Sequence, residues 1–201
     1  MMKKEKILYI VAGANGSGKS TFATNLLPIK DLQFLNADEI AKEIAPDAIN
    51  SVPISAGKIY FKYLKDFFAQ EKSFVVESTL SGKNVLKIIN KAKENNYKVV
   101  LLYVFLGNCS QCIERVRKRV INGGHNVPEE DIIRRYYRSI INFNNIYKNL
   151  VDEWLLFYNG YSYTPLLVAM GYGANIIILD NQKQKQFENL LNLHHEVENE
   201  L

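Results

Sequence analysis

"ILYIVAGANGSGKST", Ile7 to Thr21, sets an apolar run ahead of three glycines, a lysine and a pair of adjacent hydroxyls. Gly13, Gly18, Lys19 and Ser20 stand in the fixed places of G-x-x-x-x-G-K-[ST]. That motif needs a strand before it and a helix after it. Ile7 to Ala12 supplies the strand, and Ser20 to Leu27, stopped by Pro28, supplies the helix. Between them the glycines let the backbone curl, so that successive N–H groups point inward at phosphate oxygens, and the helix N-terminus adds its partial positive charge. The loop Gly13, Ala14, Asn15, Gly16, Ser17, Gly18, Lys19, Ser20 and Thr21 is therefore the candidate nucleotide-binding segment. Lys19 is expected to reach the β- and γ-phosphates of ATP and Ser20 a Mg²⁺ ion. The plain alternative is a glycine-rich turn joining strand to helix.

Outward from the loop, strands and helices alternate. "LQFLNAD" reads as a short strand that delivers Asp38 to the helix "DEIAKEIAP", ended by Pro46. An amphipathic helix from Ile54 to Gln70 follows, then the buried strand "SFVVEST" with Glu77 at its end. Asn84 to Asn95 is predicted helix, and Lys98 to Leu106, rich in β-branched and aromatic residues, is the most apolar strand. Ser110 to about Val151 reads as two helices split by "NGGHNVPEE". The tail gives three short strands separated by Gly, Tyr and Pro turns, and a terminal helix. This alternation predicts a doubly wound, mostly parallel α/β sheet with helices on both faces. The phosphate loop makes it a P-loop NTPase fold.

The length, 201 residues, suits one such domain with a substantial core. Lys and Arg number 25 against 21 Asp and Glu, and a net charge of +4 is too balanced to argue for nucleic acid. No apolar stretch approaches the roughly twenty residues of a membrane span. The basic start and short apolar run could suggest a secretion signal. That run is the strand feeding the phosphate loop, however, so cleavage there would destroy the site, and a cytoplasmic location is expected. "CSQC", Cys109 to Cys112, lies where a strand gives way to a helix and admits a redox reading, but no second pair completes a zinc site.

A phosphate loop says that nucleotide binds, not what becomes of the γ-phosphate. "TLSG", Thr79 to Gly82, looks like part of a transport-ATPase signature, yet no Gly-Gln follows it, and "NIIILDN" has Asn181 where a catalytic glutamate should stand. The N-K-x-D of GTPases is absent. Asp38 and Glu77 are instead carboxylates at the C-terminal ends of two predicted strands, the edge where open α/β sheets place ligands. Phosphoryl transfer needs a group to orient and deprotonate the acceptor hydroxyl, a metal to bridge phosphates, and cations for the equatorial oxygens. Asp38 suits the first task, unless it merely caps its helix. Glu77, on a strand expected beside that of the phosphate loop, suits Mg²⁺ or the substrate, unless it is a structural contact.

Cations crowd one block. "CIERVRKRVINGGHNVPEEDIIRRYYRSIINFNN" holds Arg115, Arg117, Lys118, Arg119, Arg134, Arg135 and Arg138. Ile113, Val116 and Val120 form the expected buried stripe of the first helix, with Arg115 and Arg119 on its far side. Ile132, Ile133, Tyr136, Ile140 and Phe143 form that of the second, with Arg134 and Arg138 along one edge. Two such helices joined by a glycine turn could close over a triphosphate as a lid, or simply be solvated faces. His125, in the turn, is a weak acid/base candidate.

"AGANGSGKST", "LNADEIA", "VVESTLSG", "RVRKRVINGGHNVPEEDIIRRYYRSIINF" and "DEWLLFYNG", in that order, resemble the zeta-toxin-like P-loop kinases, especially short stand-alone bacterial members. The resemblance implies an ATP-dependent kinase with a hydroxyl acceptor. It puts the catalytic base on Asp38, the phosphate-loop lysine on Lys19, and the lid arginines on Arg119 and Arg134. It turns the E-S-T segment, with Glu77 and Thr79, toward substrate or metal. Characterised zeta toxins phosphorylate UDP-N-acetylglucosamine, which makes a UDP-sugar one candidate acceptor and an antitoxin one candidate partner. Relatives of the fold use other hydroxyls, including those of antibiotics and NAD, and this chain is shorter than those toxins. A nucleotide-driven switch and a nucleic-acid-binding ATPase remain the rival classes.

Overall fold

The structure is a computed structural model and describes residues 5–26, 32–46, 51–160 and 164–199. Seven strands form one sheet: β1 (Ile7–Ala12), β2 (Gln33–Leu35), β3 (Phe74–Ser78), β4 (Lys98–Phe105), β5 (Glu153–Tyr158), β6 (Leu166–Tyr172) and β7 (Asn175–Ile178). Their order is β2-β3-β1-β4-β5-β6-β7. The first five in that order run parallel, β6 pairs antiparallel with β5, and β7 pairs antiparallel with β6. The direction follows from the connections. Helices α1 (Lys19–Leu26), α2 (Ala37–Ile44), α3 (Pro53–Ala69), α4 (Asn84–Glu94), α5 (Cys109–Ile121) and α6 (Glu129–Asn145) carry the chain back between parallel strands. Gly173, at φ +54°, lets β6 fold straight into β7 as a hairpin. Helix α7 (Asn181–Asn199) closes the chain.

The α/β P-loop fold expected from the sequence is thus the fold observed, and β3 does lie beside β1, with Val11 opposite Glu77. The expected helix stop at Leu27 and Pro28 and the turn at Tyr161 to Tyr163 lie outside the described residues. Period-2 alternation divides the core. Leu8, Ile10 and Ala12 of β1, with Val99, Leu101, Tyr103 and Phe105 of β4, enter the larger cluster with α2 to α7. Val11, Val100, Leu102 and Val104 point the other way, onto Phe22 and Ala23 of α1.

Two details of helix phase differ from the sequence reading. Val120, expected in the α5 stripe, is 36% exposed, and Cys112 with Val116 forms the buried seam. Ile133, expected in the α6 arc, is 41% exposed, and the buried set is Ile132, Tyr136, Ser139, Ile140 and Phe143. A polar residue completes that arc because Ser139 Oγ and the Tyr103 hydroxyl lie 2.8 Å apart and satisfy each other inside the core. Among the described residues, no helix is long and apolar enough to cross a membrane.

Candidate active site

The loop between β1 and α1 has the form of an anion cradle. Gly13 and Gly16 adopt φ of +144° and +81°, which L side chains rarely reach. A Cβ on Gly13 would fall on the Val104 carbonyl, and one on Gly16 on the Cys112 carbonyl, so both positions demand glycine twice over. The Gly13 amide donates to the Ser78 carbonyl at 3.3 Å, which ties the start of the loop to β3. Asn159, just past β5, donates its amide to the Ser17 carbonyl at 2.8 Å, and its own carbonyl accepts from Arg115 at 2.8 Å. The loop is therefore clasped from behind by two elements.

Lys19 and Ser20 open α1, and Glu77 of β3 meets both. Ser20 Oγ donates to Glu77 Oε2 at 2.8 Å, while Lys19 Nζ lies 3.8 Å from Glu77 Oε1 and donates to the Ala14 carbonyl at 3.0 Å. The Lys19 and Glu77 side chains are only 8% and 10% exposed. Burying a cation is costly without partners, so the pairing with Glu77 and Ala14 is what makes Lys19 tolerable there. A triphosphate would offer Lys19 more charge than these do. Glu77 and Ser20 together present the hard oxygens a divalent cation takes. No cluster of three or more His, Cys, Asp or Glu able to hold a metal occurs among the described residues. A two-oxygen site fits Mg²⁺ that keeps its remaining ligands from water and nucleotide phosphates.

A cleft of about 470 Å³ opens in front of this pair and reaches α2, α3 and α4. Asp38, Glu77, Thr79, His125, Lys19 and Arg135 are the functional side chains on its walls. Asp38 owes its place to a capped helix start: Asn36, not Asp38, is the N-cap of α2, and its side chain accepts from the Asp38 amide at 2.8 Å. The capping alternative for Asp38 is thereby removed, and its exposed carboxylate is left to face the cleft. The loop after Glu77 is held in an uncommon shape. Leu80 is fully buried at φ +54°, its amide donates to Ser78 Oγ at 3.1 Å, and its carbonyl accepts from Asn142 at 2.7 Å. Backbone in that region persists only where the surroundings over-determine it. Here the fixed loop orients Glu77 and Thr79, and nothing in the local sequence announced Asn142.

The arginines separate into distinct roles. Arg135 points at the loop: its guanidinium lies 3.4 Å from Asn15 Oδ1 and 3.1 Å from Asp131 Oδ2. Arg134, expected at the phosphates, instead pairs with Asp131 at 2.6 Å with its side chain 54% exposed, and it does not line the cleft. Arg119 donates to the His125 carbonyl at 2.7 Å and keeps its buried Nε without a partner, so it braces the α5–α6 turn rather than lining the cleft. Arg117 pairs with Glu129 at 2.7 Å across that turn. Buried Ile132, Tyr136 and Ser139 anchor α6, and the Tyr136 hydroxyl donates to the Leu106 carbonyl at 2.8 Å.

Cys109 and Cys112 are free thiols. Burial pushes the Cys109 thiol up to about 11 and Cys112 to about 12, the opposite of the depression that activates a redox cysteine. Cys112 serves packing, beneath Gly16.

Comparisons with known proteins bear on the family and the fold. Residues 8–139 match the AAA domain family AAA_33. An uncharacterized protein of Haemophilus influenzae is 32% identical over 136 residues, which are 68% of this chain and 95% of that one. Among solved structures, the AvrRxo1-ORF1:AvrRxo1-ORF2 complex with sulphate ions superposes with a TM-score of 0.75 at 16% identity, covering 91% of this chain. The chain spans only 63% of the length of that relative. The same complex has been solved with ATP and superposes at 0.74. The structure of the PezAT chromosomal toxin-antitoxin system of Streptococcus pneumoniae superposes at 0.65 with 15% identity, covering 100% of this chain and 88% of that one. With its phosphate loop, its mostly parallel sheet and a match over about two thirds of its length, the chain belongs to the AAA_33 AAA domain family and has a P-loop NTPase-like fold.

Proposed function

We propose that this chain is a zeta-toxin-like kinase, a single catalytic domain that transfers the γ-phosphate of ATP to a hydroxyl of a small metabolite in the cytoplasm, where ATP is supplied. The observation that carries the reading is one cleft lined by Asp38, Lys19 and Glu77, the last of which accepts a hydrogen bond from Ser20. UDP-N-acetylglucosamine is the acceptor that the resemblance to zeta toxins nominates, and an antitoxin is the partner it nominates. The pairing of Arg117, Arg134 and Arg135 with carboxylates speaks against a bare basic face for nucleic acid.

In this reading Lys19 would leave Ala14 for the β- and γ-phosphates, and Ser20 with Glu77 would hold Mg²⁺. When bound, Mg²⁺-ATP would supply the phosphoryl group and neutralise the negative charge that develops during transfer. Asp38 orients the acceptor hydroxyl and takes its proton as the oxygen bonds to the γ-phosphorus and the bond to the β-phosphate oxygen breaks. Arg135, beside Asn15, supplies the cation for the equatorial oxygens, the task expected of Arg134. Arg119 keeps the α5–α6 turn in shape so that it can shut out water.

Mass spectrometry for a gain of one phosphate, after incubation with ATP, Mg²⁺ and a panel of metabolites, tests the proposal. Asp38→Asn should bind ATP normally and lose acceptor phosphorylation by about 10² to 10⁴. Phosphorylation at the normal rate by this variant would move the base elsewhere, Glu77 first.

A further inference from the structure

The cleft has two unlike ends. Its cations, Lys19 and Arg135, both stand at the phosphate-loop end, and each already faces a carboxylate, Glu77 at 3.8 Å and Asp131 at 3.1 Å. The opposite end is built by α2, α3 and α4. There the walls are apolar or aromatic, Ala41, Ala56, Tyr60, Phe61, Val85 and Ile88, together with the neutral amides of Asn36 and Asn84. Among the described residues Asp38 is the single charged side chain that those three helices place on the cleft wall, and no ion pair to it forms among them. The neighbouring Glu39 carboxyl is held above its ordinary range, first by burial and then by the nearby charges of Glu77 and Glu43, against the opposing charge of Lys42. The charge that lines the acceptor end is therefore negative among the described residues.

A diphosphate or carboxylate seated there would meet Asp38 with no cation among the described lining residues to pair with, and an anion taken from water without a partner is strongly disfavoured. The aromatic wall offers the reverse. Tyr60 and Phe61 meet edge to face with centroids 5.7 Å apart, and Phe61 is 52% exposed, so an apolar body or a cation has ring surface to rest on. We infer that the acceptor is a phosphate-free alcohol, neutral or cationic, with an aromatic or apolar body seated against Tyr60 and Phe61 and its hydroxyl toward Asp38. This rests on the kinase reading and narrows it away from UDP-sugars.

Two small probes isolate the charge. 2-Amino-1-phenylethanol and mandelate share a phenyl ring and a benzylic secondary alcohol, and differ in carrying an ammonium or a carboxylate. Their binding to the full chain, loaded with Mg²⁺ and a non-hydrolysable ATP analogue, is read by calorimetry or ligand-observed NMR, beside that of UDP-N-acetylglucosamine. No turnover is needed, so failure of phosphoryl transfer in the metabolite panel would count against the kinase reading alone. The amine should bind at least tenfold tighter than mandelate. Phe61→Arg, at a half-exposed position that opens no core, should shrink or reverse that ratio. The inference is overturned if mandelate or UDP-N-acetylglucosamine binds as tightly as the amine, if no probe binds, or if Phe61→Arg leaves the ratio unchanged.

Discussion

One step of helical phase decides which arginine meets the phosphate loop. Arg134 and Arg135 are about 100° apart on α6, and the buried set centred on Tyr136, Ser139 and Ile140 turns Arg135 toward Asn15 and Arg134 toward solvent. If Arg135 steadies the equatorial oxygens, Arg135→Ala should slow acceptor phosphorylation by about 10³ to 10⁵ while ATP affinity changes little. Arg134→Ala should alter the rate by less than about threefold, since exposed ion pairs of its kind contribute about 0 to 1 kcal/mol. Single-turnover rates of the two variants check this, and equal small losses would return both arginines to the solvated surface. The phosphate loop was legible because everything it needs is local: glycines, a lysine and a hydroxyl at fixed spacing. Arg135 was not legible, because counting Ile133 as core rotates the helix and the chain offers two isoleucines and two arginines in a row.

Single elements place the carboxylates. Helix α2 begins where it does because Asn36 caps it, and only 8% of Asn36 is exposed. Replacing that cap, Asn36→Ala, should cost about 1 kcal/mol of stability and also reduce phosphorylation, because the turn that aims Asp38 loses its hydrogen bond. Asp38→Asn should leave the unfolding free energy within about 0.5 kcal/mol of the unmodified chain, as exposed positions do. Denaturant titration of both variants distinguishes cap from base; a large loss of stability in Asp38→Asn would show that Asp38 is structural. Alternation of strand and helix revealed parallel strands, and the apolar periodicity of the strands revealed their two faces. The loop after Glu77 escaped notice since its shape depends on Asn142, far along the chain, and on a leucine at φ +54° where glycine would be the local expectation.

At the scale of the molecule, the helix that carries Arg135 is also the one that locks the sheet to its terminal helix. Phe143 stacks on Tyr103 of β4 with centroids 4.4 Å apart, and meets Trp154 of β5 at 5.9 Å and Phe187 of α7 at 5.7 Å. Strand order was not readable beyond the β1–β3 neighbourhood, because a crossover helix fixes strand direction without saying which neighbour the next strand takes. Such aromatic contacts between distant segments hold the order that results. Phe143→Ala should cost about 3 to 5 kcal/mol, the lost transfer energy plus the cavity left among rings too rigid to collapse into it. Phe143→Leu fills part of that space and should cost less. The loss should appear as a lowered urea midpoint with an unchanged slope, since the surface exposed on unfolding is nearly the same. Because the buried half of α6 sets the phase of Arg135, Phe143→Ala should also lose phosphorylation at temperatures where it remains folded, whereas its binding of ATP, resting on β1, α1 and β3, should persist. If activity and stability fall strictly in parallel, α6 is a scaffold with no part in aiming Arg135.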